Sequence, residues 1–259
     1  LVAMAIFYLI PVYVMLVTGL KGVEEVNLKT MWNLPSGIDF DNFIEAYNKL
    51  APHLWNSINM VLPAAVISSI LGSLNGYVLA KWKFKGADII FPLILFGMFI
   101  PYQSILIPLV EFMKTINLYG GLPGLVLTHV IYGIPITTLT FRNYYATIPK
   151  ELVEAAKIDG AGMMGVYWNI LLPISIPSFV VVLIWQFTQA WNDFLFAVVL
   201  TSPSNWPVTV ALNNMAGSQI VAWNVQMAGS FLTALPTLLV YIFLGRYFLR
   251  GMMAGALKG

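Results

Sequence analysis

Apolar residues run along this chain in long blocks, separated by short stretches that look water-soluble. A helix that crosses a bilayer needs about 20 mostly apolar residues. Six blocks meet that length: Leu1–Leu20, Ser57–Ala80, Ile89–Val110, Leu122–Phe141, Ile176–Leu200 and Gly229–Phe248. Several contain proline (Pro11, Pro63, Pro101, Pro135 and Pro236 among them), which membrane helices tolerate when neighbours satisfy the freed carbonyls. Between the first two blocks, Lys21–Asn56 reads as a loop carrying one surface helix, Asp41–Leu50. The pattern divides the chain into 1–56, a first span with its outer loop, and 57–259, a core of five spans with a loop at 147–173.

Composition turns this pattern into a class. The 259 residues are 59% hydrophobic and 9% charged, whereas a soluble domain carries about a quarter charged residues. A soluble fold cannot hide that much apolar surface. The expected class is an all-α integral membrane protein of six transmembrane helices, because backbone in lipid must satisfy its own hydrogen bonds. A net charge of +2 gives no sign of nucleic acid, and the lack of cysteine removes disulfides and thiolate metal sites. The first apolar run has no cleavage region behind it and reads as a span whose preceding residues are missing, not as a signal peptide.

Lysine and arginine set the expected orientation. Lys81, Lys83, Lys85, Arg142, Lys150, Lys157, Arg246, Arg250 and Lys258 fall on one side, and Lys21, Lys29, Lys49 and Lys114 on the other. The richer side is expected to be cytoplasmic, with both termini inside and Lys21–Asn56 and Ser202–Ala228 outside.

The longest inner loop lies between spans four and five and begins TIPKELVEAAKIDGAG. Pro149 suits the first turn of a helix. Glu151 and Lys157 complement its dipole, and Gly160 can supply the left-handed residue that stops it. Leu152, Ala155, Ala156 and Asp159 share one face, where two alanines let another surface come close. MMGVYWNILLP then restarts an amphipathic helix, with Met163, Val166, Tyr167, Ile170 and Leu171 apolar, that ends at Pro173. An ordinary connector would explain this as well as a docking site would.

A longer pattern separates the two. Glu154-Ala155-Ala156, three residues, Gly160, nine residues, Ile170, one residue and Leu172-Pro173 resembles the EAA signature of ABC-importer permeases at each fixed position. The ending GRYFLRGMMAGALKG, with WNDFLFAVVLT (Trp191–Thr201) and IPYQSILIPL (Ile100–Leu109), is similar to the carbohydrate branch, specifically its second, six-span maltose-type subunit. NGYVLAKWKF and FRNYYATIP resemble permeases for glucose or related small sugars.

The resemblance implies a type I importer permease fold and a helix-turn-helix coupling loop. It implies no enzymatic activity and no cofactor in this chain, with ATP and Mg held by a separate homodimeric cytoplasmic ATPase. The sequence agrees in having no G-x-x-x-x-G-K-[ST] phosphate loop. Carried onto these residues, Glu154 meets a basic residue of the ATPase and Ala155 and Ala156 give clearance. Gly160 permits the turn, with Asp159, Ile170, Leu172 and Pro173 completing the motif. A second homologous permease subunit, an extracytoplasmic binding protein, a sugar substrate and the inner membrane of a prokaryote are implied as well.

Polar residues inside spans are functional candidates, because a charge in lipid is costly. Gln186, Gln189 and Asp193 fall at i, i+3 and i+7 on the fifth span, with Asn192 beside them. Amides and a carboxylate suit sugar hydroxyls, and Trp185 and Trp191 suit a sugar face. Helix-to-helix bonding is the competing reading. Asp193, near the outer end, leans to a structural or gating role. Gln103 beside Pro101 is expected to face the same interior, and His129 reads as a hydrogen-bonded packing residue. Asn213 and Asn214 are expected outside the membrane, where an ordinary polar surface is the favoured reading and a short outer helix near the binding-protein surface the alternative. A proton-coupled carrier relayed by Asp193 and a membrane enzyme are the rival functions. The first is opposed by the lack of an internal inverted repeat, the second by the lack of a paired acid and base.

Overall fold

The structure is a computed structural model and describes residues 2–82, 84–217 and 221–256, with side chains through Tyr247. Leu1, Lys83 and Lys258 lie outside the described residues, as does the Arg250 side chain. The regular structure of the described residues is all helix, with one isolated bridge between Gly120 and Thr201. Its order is α1 (Val2–Gly19), α2 (Asp41–Lys81), α3 (Ala87–Phe96), α4 (Leu106–Thr115), α5 (Leu122–Thr147) and α6 (Lys150–Ile158). Then come α7 (Met163–Val166), a wider turn at Tyr167–Leu171, α8 (Leu172–Ile174), α9 (Ile176–Trp191), α10 (Leu195–Leu200), α11 (Val208–Ala216) and α12 (Trp223–Ala256).

Four helices, α1, α2, α5 and α12, are long and apolar enough to cross a membrane unaided. Counting each of two bent pairs as one span raises the number to as many as six, though the second pair, Met163–Ile174 with Ile176–Trp191, begins inside the 147–173 loop and ends before Leu200. The bends correct the expected straight spans. In the third block, residues 87–99 and 102–115 meet at 89°. Pro101 explains the break: it has no N–H, and it pushes Ile100 into an extended conformation (φ −76°, ψ 115°). In the fifth block, α9 stops at Trp191 and the helix resumes only at Leu195.

A second correction concerns Lys21–Asn56. The expected surface helix at Asp41–Leu50 and the span at Ser57–Ala80 are one helix of 41 residues, so position 56/57 falls within α2. Leu50 is fully buried and Leu54 packs beside it, so tertiary contacts carry the helix through Pro52. The polar residues that suggest a loop hold another one. Asn56 donates to the carbonyls of Ser204 and Trp206 at 3.1 Å each, and His53 Nδ1 lies 2.8 Å from the Trp206 carbonyl.

The joints collect at opposite ends of the bundle. At one end, Asn42 donates to the carbonyls of Gly19 and Lys21, and Gly120 and Ser202 pair through their backbones. At the other, Lys81 donates to the Ile148 carbonyl and Lys157 sits 4.2 Å from the centre of the Trp82 ring. Each end has its own apolar core. One is built around Leu50, Met60, Trp191 and Leu200, the other around Tyr77, Phe141, Tyr145, Tyr167 and Leu171. Between them α2 and α5 pack through Gly72 and Gly76, small residues one turn apart that let two backbones approach.

Candidate coupling loop and translocation cavity

The loop after α5 folds as a short helix, a turn and a second helical segment. Pro149 stands at the N-cap (φ −55°, ψ 139°), one place before the expected first turn. Glu151 lies in the first turn and Lys157 in the last, where each offsets the helix dipole. Gly160 has φ +85°, the left-handed conformation that glycine adopts without a Cβ penalty. The Gly160 N–H donates to the Lys157 carbonyl at 3.1 Å and the Ala161 N–H to the Ala156 carbonyl at 2.9 Å. Those two bonds are a Schellman stop.

The structure divides the signature residues between two faces. Glu154, Ala155, Asp159 and Gly160 are exposed, together with Leu152 and Ile158. Ala156 turns toward the bundle with Val153 and packs against the core built around Tyr77 and Tyr145. It is therefore not on the open face where the spacing puts it beside Ala155. Ile170 and Leu172 are half-buried against the same core, and Pro173, expected to end the segment, lies within α8. The Tyr77 hydroxyl donates to the Met163 carbonyl at 3.0 Å. The loop is thus seated on the bundle by one face and open on the other.

Toward the other end lies a cavity of about 470 Å³, lined among others by Tyr102, His129, Trp185, Gln186, Gln189, Asn192 and Asp193. Four of the five pathway candidates meet there. The fifth, Gln103, is exposed and does not line it, while its neighbour Tyr102 does. The break at Pro101 sends consecutive side chains to different surroundings. Trp185 lines the cavity, but Trp191 is buried in the apolar core, stacked on Phe187 and donating to the Thr233 carbonyl at 3.1 Å. Asn213 and Asn214 lie exposed on α11.

The Gln186 amide donates to the Ser68 hydroxyl at 2.8 Å. Gly133 makes room for that amide, since a Cβ there would stand 1.9 Å from its nitrogen. Asp193 lies beyond the end of α9, so it does not continue a helical stripe with Gln186 and Gln189. Its carboxylate accepts from the N–H groups of Phe196 (3.3 Å) and Ala197 (3.0 Å) and so caps α10. His129 Nε2 lies 3.4 Å from Asp193 Oδ2, an ion-pair distance without hydrogen-bond geometry. Sequence reasoning left these two residues apart, because they are 64 positions distant and lie in different apolar blocks.

Loop, cavity and bent spans define an all-helical, multi-pass membrane protein. Residues 68–253 match the model of the binding-protein-dependent transport system inner membrane component, and the chain belongs to that family. A probable ABC transporter permease protein of Pyrococcus horikoshii is 48% identical, with 100% of this chain and 95% of that protein covered. A xylose/arabinose import permease of Haloferax volcanii is 35% identical over 96% of this chain and 89% of its own. A glucose import system permease of Saccharolobus solfataricus is 33% identical over 98% and 91%. The crystal structure of a bacterial ABC transporter that imports the acidic polysaccharide alginate contains a chain of the same fold. Its TM-score is 0.81, with 21% identity and 95% and 94% of the two chains covered. The chain is therefore a cell-membrane permease subunit of a binding-protein-dependent ABC transporter, whose ATPase activity lies in a separate subunit. Members of the family typically bind no cofactor.

The cap at Asp193 gives a test of the cavity wall. Asp193→Ala removes both acceptors and is expected to cost about 1 kcal/mol, the usual value of a lost helix cap. Asp193→Asn keeps one acceptor oxygen and is expected to retain most of that stability. Thermal unfolding of the purified complex measures the difference. An Asn variant as unstable as the Ala variant would show that the charge facing His129 matters more than the cap.

Proposed function

We propose that this chain is the second, six-span permease subunit of a sugar importer, and that a monosaccharide such as glucose, xylose or arabinose is its cargo. The cavity carries the reading. Its volume lies within the range of small-molecule sites, and amides, a carboxylate and an exposed indole converge on it. Amides and carboxylates pair with sugar hydroxyls, and an indole face offers the apolar surface of a pyranose somewhere to stack. The sugar-importing relatives support the same class.

In this reading, a homodimeric cytoplasmic ATPase receives the open face of the 147–173 loop. Glu154 and Asp159 supply acidic contacts, Ala155 clearance and Gly160 the stop. The richer lysine and arginine end faces the cytoplasm with both termini, in a prokaryotic plasma membrane. A second, homologous permease supplies the other wall of the pathway. A binding protein delivers sugar to the end that carries 21–42 and 202–208. Rocking of the two helical bundles then alternates access to the cavity, with Gln186, Gln189, Asn192 and Asp193 along the path.

Uptake into vesicles holding the whole complex tests the function. Labelled glucose, xylose or arabinose is expected to enter only with internal ATP, and a protonophore is expected to leave uptake unchanged. Uptake that persists without the ATPase and collapses with a protonophore would identify a proton-coupled carrier instead. Uptake of peptides or amino acids, with every mono- and oligosaccharide ignored, would overturn the sugar assignment.

A further inference from the structure

Four buried hydroxyls form one connected line at the inner end of the bundle. Tyr167, Ser73, Tyr145 and Ser175 are each fully buried. Tyr167 OH lies 3.1 Å from Ser73 Oγ, Ser73 Oγ lies 2.6 Å from Tyr145 OH, and Tyr145 OH lies 3.1 Å from Ser175 Oγ. Ser175 Oγ is 2.9 Å from the Leu172 carbonyl oxygen. Each hydroxyl has a single proton to give, and a carbonyl can only accept. Ser175 therefore spends its proton on Leu172 and accepts from Tyr145. Tyr145 in turn accepts from Ser73, and Ser73 from Tyr167. Every proton in the line has one direction.

The path of the line connects elements that are separate in the chain. It leaves the coupling segment at Tyr167, crosses α2 at Ser73 and α5 at Tyr145, and returns at Ser175 and Leu172. Ser175 is the elbow where the segment Met163–Ile174 meets α9 at 77°. The Ser175 N–H also donates to the Leu171 and Leu172 carbonyls at 3.0 and 3.1 Å, and its carbonyl accepts the Phe179 N–H at 2.9 Å. Beyond the elbow, α9 carries Trp185, Gln186 and Gln189 into the cavity.

We propose that this directed hydroxyl line is the joint that holds the elbow rigid and passes movement of the coupling loop to α9, with Tyr145 as its central positioning residue. The proposal rests on the importer reading given above. Burial is what makes the line effective. A lost bond there cannot readily be replaced by water, so the network is tight when complete and loosens when a member is removed. A serine and tyrosine set that merely filled space would have no need of a single proton direction, because apolar side chains of the same shape pack as well.

The test uses the whole complex in vesicles, with labelled glucose, xylose and arabinose as probes and sugar transported per ATP hydrolysed as the readout. Tyr145→Phe breaks two bonds and leaves the ring in place. It is expected to lower the ratio about tenfold, the equilibrium equivalent of an unmet buried hydroxyl, at an unchanged amount of assembled complex. Tyr167→Phe removes only the first donor and is expected to lower the ratio about threefold. If Tyr145→Phe fails to assemble, this milder variant carries the test.

A fourfold variant (Ser73→Ala, Tyr145→Phe, Tyr167→Phe and Ser175→Ala) leaves no unmet hydroxyl. It is expected to assemble normally and stay uncoupled. Its return to the wild-type ratio would overturn the proposal, since the bonds would then be dispensable. Wild-type ratios in both phenylalanine variants would overturn it equally, with the importer reading intact. A wild-type complex that takes up no sugar with ATP would remove that reading and the proposal with it.

Discussion

Replacing Gly76 with valine is expected to remove the permease from the membrane fraction almost completely. A Cβ at this position would stand 2.6 Å from the backbone nitrogen of Arg142 and 2.9 Å from the carbonyl carbon of Phe141. Both are main-chain atoms of α5, so no rotamer change can relieve the clash. Gly72, one turn earlier, would place a Cβ 2.0 Å from Thr137 Oγ1 and 2.8 Å from that residue's carbonyl carbon. The two glycines hold a continuous stretch of backbone-to-backbone contact. Valine at 76 forces α2 and α5 apart along that stretch and separates the core around Tyr77 from its support. Overpacking of this kind costs about 3 kcal/mol or more, which lowers the folded ratio by about a hundredfold. Immunodetection in membranes, beside a Gly22→Ala control, measures it. Gly22 has nothing within 4 Å of its Cβ position and an ordinary φ of −62°. Equal amounts of the two variants would show that the helices part without penalty.

The six apolar blocks were legible because a bilayer imposes a length on anything that crosses it, and that constraint leaves its mark residue by residue. The breaks within blocks were harder to read, since proline alone does not decide them. Pro63, Pro135 and Pro236 stay inside continuous helices, whereas Pro101 lies at a right-angled turn. Tertiary contacts decide which proline bends the chain. The same holds for Leu50–Asn56, where buried Leu50 and the bonds from His53 and Asn56 keep a helix that local polarity argues against. One signal was available for the second break. Asp193 stands three and four residues ahead of the N–H groups it accepts, at the start of a new apolar run, which is the mark of a helix start. Read as one polar stripe, Gln186, Gln189 and Asp193 conceal it.

The 147–173 loop shows the other limit of the sequence. Spacing groups Ala155 with Ala156, but an alanine pair can serve two faces. Val153 three residues before Ala156, and Ala161 five after it, share the inner core with it, and that apolar series is what turns Ala156 inward. The outward face is then Leu152, Ala155, Ile158 and Asp159, a small apolar patch edged by acids. A patch of that kind fits a socket on another protein better than it fits solvent.

Gly160→Val is expected to separate ATP consumption from uptake while the complex still assembles. Space is not the obstacle, because a Cβ at Gly160 would meet nothing within 4 Å. The obstacle is the backbone. At φ +85° a β-branched residue is strained by about 1–2 kcal/mol or more, and the chain relieves this by giving up the left-handed turn. The bonds from Gly160 and Ala161 back to Lys157 and Ala156 are then lost, and the last turn of α6 frays. Glu154 and Asp159 no longer hold a fixed position relative to the bundle. In the proposed reading the loop meets the ATPase on one face and the bundle on the other, and it transmits movement only while its two faces stay in register. Sugar carried per ATP hydrolysed is therefore expected to fall about tenfold, the kinetic equivalent of the strain. Gly160→Asn is expected to keep most of the ratio, since asparagine tolerates the left-handed region. Parallel uptake and hydrolysis measurements on the two variants decide the role of the turn. Normal coupling in the valine variant would mean that the loop is a connector and that force reaches the bundle by another route.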